Sequence, residues 1–333
     1  MKKIITFVLI LIILAAGTFV VKNRILKKRT EQTTPSSPTG AAYGPGDYSD
    51  SLTVDGRSRT YHFRIPTGYT SSKQYPLVAV FHGGAGSGKK IASQTGFPAK
   101  ADKEGFIAVF PDGIEHNWND GRDTADAYKQ GVDDVKFVRT LIEHLKSKLP
   151  IDSKKIFATG VSNGGMFSHR LGCEMADVFA AIAPDVGSLA TNLAPRCSPQ
   201  NPISVVVIQG TEDLFIPING GDTKHKKFPR LGDGGLVLSA EDAMKFWASK
   251  NGCSMTPAIT NLPLQVNDGT SVVKTSYTQC RDNSEVTYYI VNGMGHMWPP
   301  KSQVTNVSVS GPPSQNIDAT EVFWEFFKTH PKQ

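Results

Sequence analysis

Residues 156–166 read IFATGVSNGGM, a short apolar run of β type that stops at Gly160-Val161-Ser162-Asn163-Gly164 and opens through Gly165 into a helical pattern. A Gly-X-Ser-X-Gly pentapeptide between a strand and a helix is a nucleophile elbow. The serine hydroxyl is lifted clear of the backbone on a tight, strained turn, and the glycines remove Cβ atoms that would collide there. Asn163 follows the serine, so its backbone N–H falls at the helix start, where free amides and the helix dipole stabilise an anionic tetrahedral intermediate. Taken alone, the pentapeptide also fits an ordinary glycine-rich turn. The surrounding segments decide between the two.

Upstream, PLVAVFHGGAG (Pro76 to Gly86) is a buried-type strand running into His82-Gly83-Gly84, which resembles the oxyanion loop of α/β-hydrolases, with Gly84 as the second backbone donor. Downstream, PISVVVIQGTEDLFIP (Pro202 to Pro217) is a strand ending in a polar loop with Asp213, and VTYYIVNGMGHMWPP (Val286 to Pro300) places His296 after a further strand. The chain order nucleophile, acid, base is the one that α/β-hydrolases use. Ser162 then attacks, His296 takes and returns its proton, and Asp213 fixes the imidazole tautomer. Rivals stand beside two of these choices: Glu212 and Asp185 for the acid, His82 for the base. His82 precedes the serine within the glycine loop, which suits a residue supporting that loop. The other histidines, His62, His116, His144, His169, His225 and His330, read as surface, helix-face or loop residues. Trp118 and Trp298 fall in loops beside the proposed site and are read as flat apolar walls for a substrate.

The same glycines nearly spell a phosphate-binding loop, Gly83 to Lys90. That reading fails at Lys90, which stands where a Mg²⁺-binding hydroxyl is required and cannot ligate a cation.

The coarse pattern is one of alternation. Ser51 to Pro66 reads as an antiparallel hairpin turning at Asp55-Gly56. Strands near 76–82, 106–110, 156–160, 180–184, 203–209 and 286–291 alternate with helical stretches at 132–149, 164–175, 240–250 and 318–329. Val135, Val138, Ile142 and Leu145 mark the apolar face of the first of these helices. This predicts a doubly wound, mostly parallel α/β sheet with an N-terminal hairpin, its functional residues at the carboxyl ends of the strands.

The N-terminus stands apart. After Met-Lys-Lys, residues 4–21 form an apolar run followed by basic residues to Arg29, which reads equally as an export signal or as a retained membrane tether. Residues 30–46 read as a Ser/Thr/Pro/Gly-rich linker, leaving 47–333 as the catalytic domain. Residues 1–29 hold seven of the 36 Lys and Arg and none of the 30 Asp and Glu; setting aside Glu31 as well leaves 29 against 29. The domain is therefore formally neutral, which removes the compositional basis for nucleic-acid binding. Four cysteines, Cys173, Cys197, Cys253 and Cys280, without a Cys-X-X-Cys pair, read as two disulfides in an exported protein. Three pairings are open; the local one, Cys173 with Cys197 and Cys253 with Cys280, closes two loops of moderate length. The heavier positive charge after the apolar run would hold the domain inside under the positive-inside rule. The cysteines argue for export, to the cell exterior or surface.

Seven motifs in order complete the picture: HGGAG, WNDGR (Trp118 to Arg122), VDDVKFV (Val132 to Val138), IDSKKIFATGVSNGGM, GTEDLFIPINGG, FWASKNGC ending at Cys253, and GMGHMWP. Together they resemble the polyhydroxybutyrate depolymerase type of esterase, neighbour to feruloyl and acetylxylan esterases, over roughly residues 51–329. The resemblance implies a secreted serine ester hydrolase of α/β-hydrolase fold with Ser162, Asp213 and His296 as triad, and it is compatible with the two local disulfides. It implies no metal and no organic cofactor. Its substrates would be hydroxyalkanoate oligoesters or, alternatively, feruloyl or acetyl esters of plant cell walls. With the match ending near the end of the chain, soluble oligomers and small esters are expected rather than crystalline polymer. A non-catalytic binding protein on the same fold is the reading that a complete Ser-Asp-His set argues against.

Overall fold

A computed structural model describes residues 43–300 and 306–333; the apolar run at 4–21, its basic flank and the linker up to residue 42 lie outside the described residues. The hairpin predicted around Asp55-Gly56 is present and longer than expected. Strand β1 (Gly46–Val54) pairs in antiparallel register with β2 (Arg57–Ile65), and both turn residues have positive φ.

The long apolar runs become the central strands β3 (Tyr75–Phe81), β4 (Ile107–Pro111), β5 (Ile151–Val161), β6 (Ala181–Asp185) and β7 (Ser204–Gly210). A two-stranded ribbon of β8 (Gly221–Asp222) and β9 (Leu236–Val237) stands apart from the main sheet. The main sheet is completed by β10 (Ala258–Asn261), β11 (Ser271–Tyr277) and β12 (Val286–Asn292). Among the described residues it has ten strands in the order β1-β2-β4-β3-β5-β6-β7-β12-β11-β10. The block from β4 through β3, β5, β6 and β7 to β12 is parallel, and both flanks are antiparallel. The reversal of strand order around β3 and the helical crossovers make this an α/β-hydrolase sheet.

Strands buried on both faces need cover on both sides. On one side lie α3 (Asp134–Lys148), α4 (Asn163–Glu174) and α5 (Ala240–Asn251), which contribute Phe137, Leu141, Leu145, Phe167, Leu171 and Trp247 to one apolar cluster. On the other lie α1 (Gly88–Thr95), α2 (Phe97–Glu104) and α6 (Ala319–Thr329), contributing Ile91, Phe97, Phe323 and Phe327. Helix α3 buries Val138, Ile142 and Leu145 as its periodicity predicts, and adds Phe137 and Leu141, while Val135 lies at the edge of the face. Asp133 caps it by accepting from Lys136 N–H at 2.9 Å. None of the described helices is long and apolar enough to cross a membrane.

Two segments depart from the sequence reading. Helices α1 and α2 occupy a stretch without an assigned element, because Gly88, Gly96 and Gly105 punctuate it into pieces of eight residues with little apolar repeat. Strands β10 and β11 extend the sheet where no strand is assigned; β10 is exposed throughout, so no buried-strand signature marks it.

Both disulfides take the local pairing. Cys173–Cys197 ties the end of α4 to the segment after β6, and Cys253–Cys280 ties the end of α5 to the loop before β12. The first joins residues 24 apart in sequence. By loop-closure entropy, replacing that pair by serine is expected to cost about 3 kcal/mol, read as a lower urea midpoint.

Candidate active site

Ser162 stands between β5 and α4 with φ 57° and ψ −119°, a left-handed conformation that a side chain tolerates only under constraint. The constraint is visible in the neighbouring glycines. A Cβ on Gly164 would lie 2.2 Å from the Phe81 carbonyl oxygen, and one on Gly160 would lie 2.6 Å from the Gly164 backbone. Strand β3, the elbow and the start of α4 thus meet backbone to backbone. Ser162 N–H donates to the Asp185 carbonyl at 2.9 Å, and its own carbonyl accepts from Met166 N–H at 2.8 Å, holding the turn from both sides. Among the described residues the Ser162 hydroxyl makes no hydrogen bond; in ligand-free sites such contacts often tighten only with substrate.

Parallel pairing of β12 with β7 sets the loops after those two strands side by side. Asp213, buried after β7, accepts from the N–H groups of Phe215 and Ile216 on Oδ1, both at 2.8 Å. Its Oδ2 lies 2.8 Å from Nδ1 of His296 and 3.4 Å from Nε2 of Gln209. The carboxylate is satisfied on both oxygens, and the His296 ring, whose side chain is 13% exposed, has its Nδ1 side fixed and its other edge toward the cavity that Ser162 also lines. The Phe215 ring packs against the imidazole at 4.9 Å between centroids.

The rivals lie elsewhere. The Glu212 side chain is exposed and makes no bond to His296. Asp185 is fully buried at the end of β6 with neither carboxylate oxygen hydrogen-bonded; burial, and next the charge of Asp213, hold its pKa well above the ordinary carboxylate range. His82 uses both ring nitrogens: Nε2 accepts from Gly113 N–H at 3.0 Å, so Nδ1 carries the proton and donates to the Gly83 carbonyl at 2.8 Å. Burial lowers its pKa and keeps the ring neutral. It braces the glycine loop from beneath. His169, read as a helix-face residue, is buried between Trp247 and Gly187 with its pKa pushed down to about 3 by burial.

The glycine loop leans on the elbow: a Cβ on Gly83 would lie 3.3 Å from Cβ of Ser162. Among the described residues the N–H groups of Gly83 and Gly84 donate to no protein acceptor, and Asn163 N–H opens α4. The Asn163 side chain is spent on structure. Its Oδ1 accepts from Trp118 N–H at 2.7 Å, and its Nδ2 donates to the Trp118 carbonyl at 3.0 Å and to Asp120 Oδ2 at 2.6 Å. Asp120 grips Arg122 through Nε and Nη2, and Arg122 Nη1 reaches on to Thr223 Oγ1 at 2.6 Å and the Gly234 carbonyl at 2.8 Å. The WNDGR segment is therefore a buried strut between the elbow and the loop at 222–235. Asp134, from the VDDVKFV motif, anchors the same segment by accepting from Asn119 N–H at 2.8 Å while paired with Arg59 at 2.6 Å.

The two tryptophans are a correction. Neither faces the cavity. Trp118 is fully buried, stacked on Phe167 and donating from Nε1 to the His82 carbonyl at 2.9 Å. Trp298 is packed among Phe97 and Phe323 and donates to Thr320 Oγ1 at 3.0 Å. Indoles with a satisfied N–H and apolar neighbours are stable beneath a loop as readily as on it. Phe215 is the aromatic wall in their place; its position two residues after Asp213, in a loop otherwise read for its acid, was the available signal.

The cavity measures about 650 Å³ and is lined by the glycine loop, Ser162, Asn163 and His296, with apolar Val161, Met166, Phe215, Ile216 and Leu231. Among the described residues no group of His, Cys, Asp and Glu is arranged to hold a metal ion. The fold is that of the α/β-hydrolases, and the cavity brings Ser162 beside a paired His296 and Asp213. Residues 59–198 match the family model described as Esterase PHB depolymerase, in keeping with the resemblance that the seven motifs carry. The chain is 32% identical to feruloyl esterase B of Piromyces equi over 239 residues, covering 70% of this chain but only 41% of that protein. It is 26% identical to the putative esterase NocK of Nocardia uniformis subsp. tsuyamanensis over 278 residues, 83% of this chain and 80% of that protein. The acetyl xylan esterase from Aspergillus awamori shares its fold with a TM-score of 0.54 at 15% identity, over 84% of this chain and 98% of that one.

Asp185 generates a stability prediction. In the unfolded chain its carboxyl ionises near pH 4, whereas in the folded protein it stays protonated well above that. Between the two values the unfolded state binds fewer protons, so stability falls as pH rises, by about 1.4 kcal/mol per unit. Asp185→Asn is expected to flatten this loss, measured as urea unfolding free energies at pH 4.5 and 7.5.

Proposed function

We propose that this domain is an exported serine carboxylic ester hydrolase working through an acyl-enzyme, with Ser162 as nucleophile, His296 as general base and acid, and Asp213 as the orienting carboxylate. The observation that carries the reading is the Asp213–His296 bond at 2.8 Å beside a strained Ser162 on one cavity. His296 Nε2 takes the Ser162 proton as Oγ attacks the ester carbonyl carbon. The oxyanion is received by the backbone N–H groups of Asn163 and Gly84. His296 then protonates the departing alcohol, and a water molecule activated by the same nitrogen releases the acid. Asp213 holds Nδ1 protonated and steadies the imidazolium, with Gln209 and two backbone amides keeping the carboxylate in place. The two disulfides support export, and residues 4–21 would supply the signal or tether.

For substrate, we favour short hydroxyalkanoate oligoesters. The cavity offers one phenyl wall and aliphatic side chains, suited to a branched short acyl group, with polar Gln94 and Asn117 toward its mouth. A second reading, esters of aromatic acids on plant polysaccharides, is supported by the 32% identity to feruloyl esterase B. Hydrolysis of 3-hydroxybutyrate oligomers, methyl ferulate and acetylated xylan side by side distinguishes them.

The roles are tested on p-nitrophenyl butyrate. Ser162→Ala and His296→Ala are expected to lower kcat/KM by at least about 10³-fold, and Asp213→Asn by about 10³ to 10⁴. Glu212→Gln is expected to stay within about twofold, since an exposed carboxylate away from the imidazole contributes little. Equal rates for wild type and Ser162→Ala would end the proposal.

A further inference from the structure

The domain is formally neutral, yet one loop beside its cavity is strongly basic. From residue 32 onward the chain has 29 basic and 29 acidic residues, whereas the loop joining β8 to β9 reads TKHKKFPRLGDGG, with Lys224, Lys226, Lys227 and Arg230 within seven residues. All four are exposed, and among the described residues none makes an ion pair. Some surface lysines elsewhere, Lys129, Lys136, Lys245 and Lys328, are paired with carboxylates, while others, such as Lys73, Lys103 and Lys146, are not among the described residues; the loop is distinguished by four cations within seven residues beside the cavity. Opposite, the first turn of α1 sends Lys90 into the cavity wall with Gln94 one helical turn further on, and Lys90 is likewise without a carboxylate partner among the described residues.

This loop is held at the site. His225 within it is buried, with Nε2 donating to the Val309 carbonyl at 2.9 Å and Nδ1 accepting from the N–H groups of Lys227 and Phe228 at 3.0 and 2.9 Å. Its ring meets Phe215, the residue that flanks the His296 imidazole. Lys226 N–H donates to the Leu214 carbonyl at 2.9 Å, one residue beyond Asp213. Thr223 and Gly234, at the two ends of the loop, are bound by the Arg122 strut. Leu231, Gly232 and Asp233 then line the cavity directly. Asp233 is the one carboxylate on that lining among the described residues; it lies 3.6 Å from Arg122, which Asp120 engages more closely at 2.8 Å.

We propose that the cavity mouth is an anion subsite, in which Lys90 and Gln94 on one side and Lys226, Lys227 and Arg230 on the other select esters that carry a free carboxylate, acid-terminated oligoesters being the chemical class that fits. The inference rests on the ester-hydrolase reading above and deepens it. An excess of one sign of charge around a cleft raises the local concentration of an oppositely charged substrate and speeds its capture. Gln94 adds an amide donor to the carboxylate that Lys90 attracts. Leu231 and the exposed Phe228 supply apolar surface for the chain between that carboxylate and the scissile ester. An acid-terminated oligoester releases a further carboxylate with every cleavage, so the shortened product stays a ligand of the same subsite.

The test compares two substrates that differ in one charge: the 3-hydroxybutyrate trimer as its free acid and as its terminal primary amide, with cleavage of the internal esters followed by chromatography. At low ionic strength the acid is expected to be favoured by about tenfold or more in kcat/KM, and the preference to shrink toward unity in 0.5 M NaCl, where the screening length is about 4 Å. Substituting Lys90→Gln together with Lys226→Gln, Lys227→Gln and Arg230→Gln is expected to collapse the acid-to-amide ratio, chiefly through KM for the acid. A ratio near unity in the wild type at low salt, or one that survives the four substitutions, overturns the subsite. Titration of both trimers into the Ser162→Ala protein by calorimetry reads charge recognition without turnover; equal affinities there overturn it as well. Loss of all hydrolysis, p-nitrophenyl butyrate included, while the Ser162→Ala protein still prefers the acid would instead count against the catalytic reading and support the subsite.

Discussion

Everything functional in this domain hangs on a backbone contact. Strand β3, the residue Ser162 and the first turn of α4 approach so closely that Cβ atoms at Gly160 and Gly164 would overlap main-chain atoms. That contact forces Ser162 to φ 57°, a conformation costing on the order of 1–3 kcal/mol for a side-chain-bearing residue. The cost is borne by the fold around it: Ser162 N–H bonds to β6, its carbonyl bonds into α4, and α4 is anchored by Phe167 and Leu171 in the core and by Cys173 to Cys197. Because β3 is also the strand that delivers the His82 loop, the same approach that lifts the serine brings the glycine loop against it. The proposed nucleophile and oxyanion donors are thus placed by one constraint.

A second layer of polar contacts carries that placement outward. Buried ion pairs rarely add stability over well-packed apolar groups, but breaking one is costly, so they are better suited to fixing positions than to raising stability. Arg59 with Asp134 and Asp120 with Arg122 are of this kind. They lock the WNDGR segment between the elbow, through Asn163, and the 222–235 loop, through Thr223 and Gly234. His82 and His169, both neutral through burial, brace the floor in the same way. The proposed chemistry uses one histidine, and the fold uses others as uncharged hydrogen-bonding struts.

Much of this was legible in the chain. The central strands are uninterrupted apolar runs and the longer crossover helices keep a clear three- and four-residue repeat, so their type and order follow from burial alone. Ser162, Asp213 and His296, the proposed triad, could be picked out because each follows such a strand, and parallel strands deliver their carboxyl ends to one edge. Where the reading failed, the local signal was weak or shared. Helices α1 and α2 are short and cut by glycine, and β10 is an exposed edge strand without alternation to betray it. Trp118 and Trp298 sit in loops, and a loop residue near a site in sequence can face either way; both indoles turn inward, where their N–H groups find acceptors.

By itself the sequence determined the order of elements, the turn chemistry of the elbow and the inventory of groups able to act as nucleophile, acid and base, because these depend on residue type and short-range geometry. It left open which of several equivalent groups would meet. Asp213 and Asp185 both end apolar strands, and Glu212 adjoins Asp213; only the pairing of β7 with β12 puts Asp213 on His296, leaving Glu212 in solvent and Asp185 neutral in the interior. Charge shows the same division. Composition gives a neutral domain, and it takes the return of one loop to the cavity, tied by His225 and Arg122, to bring a basic segment beside it. Such choices lie between segments distant in sequence, where contact is decided by packing and pairing rather than by any pattern along the chain.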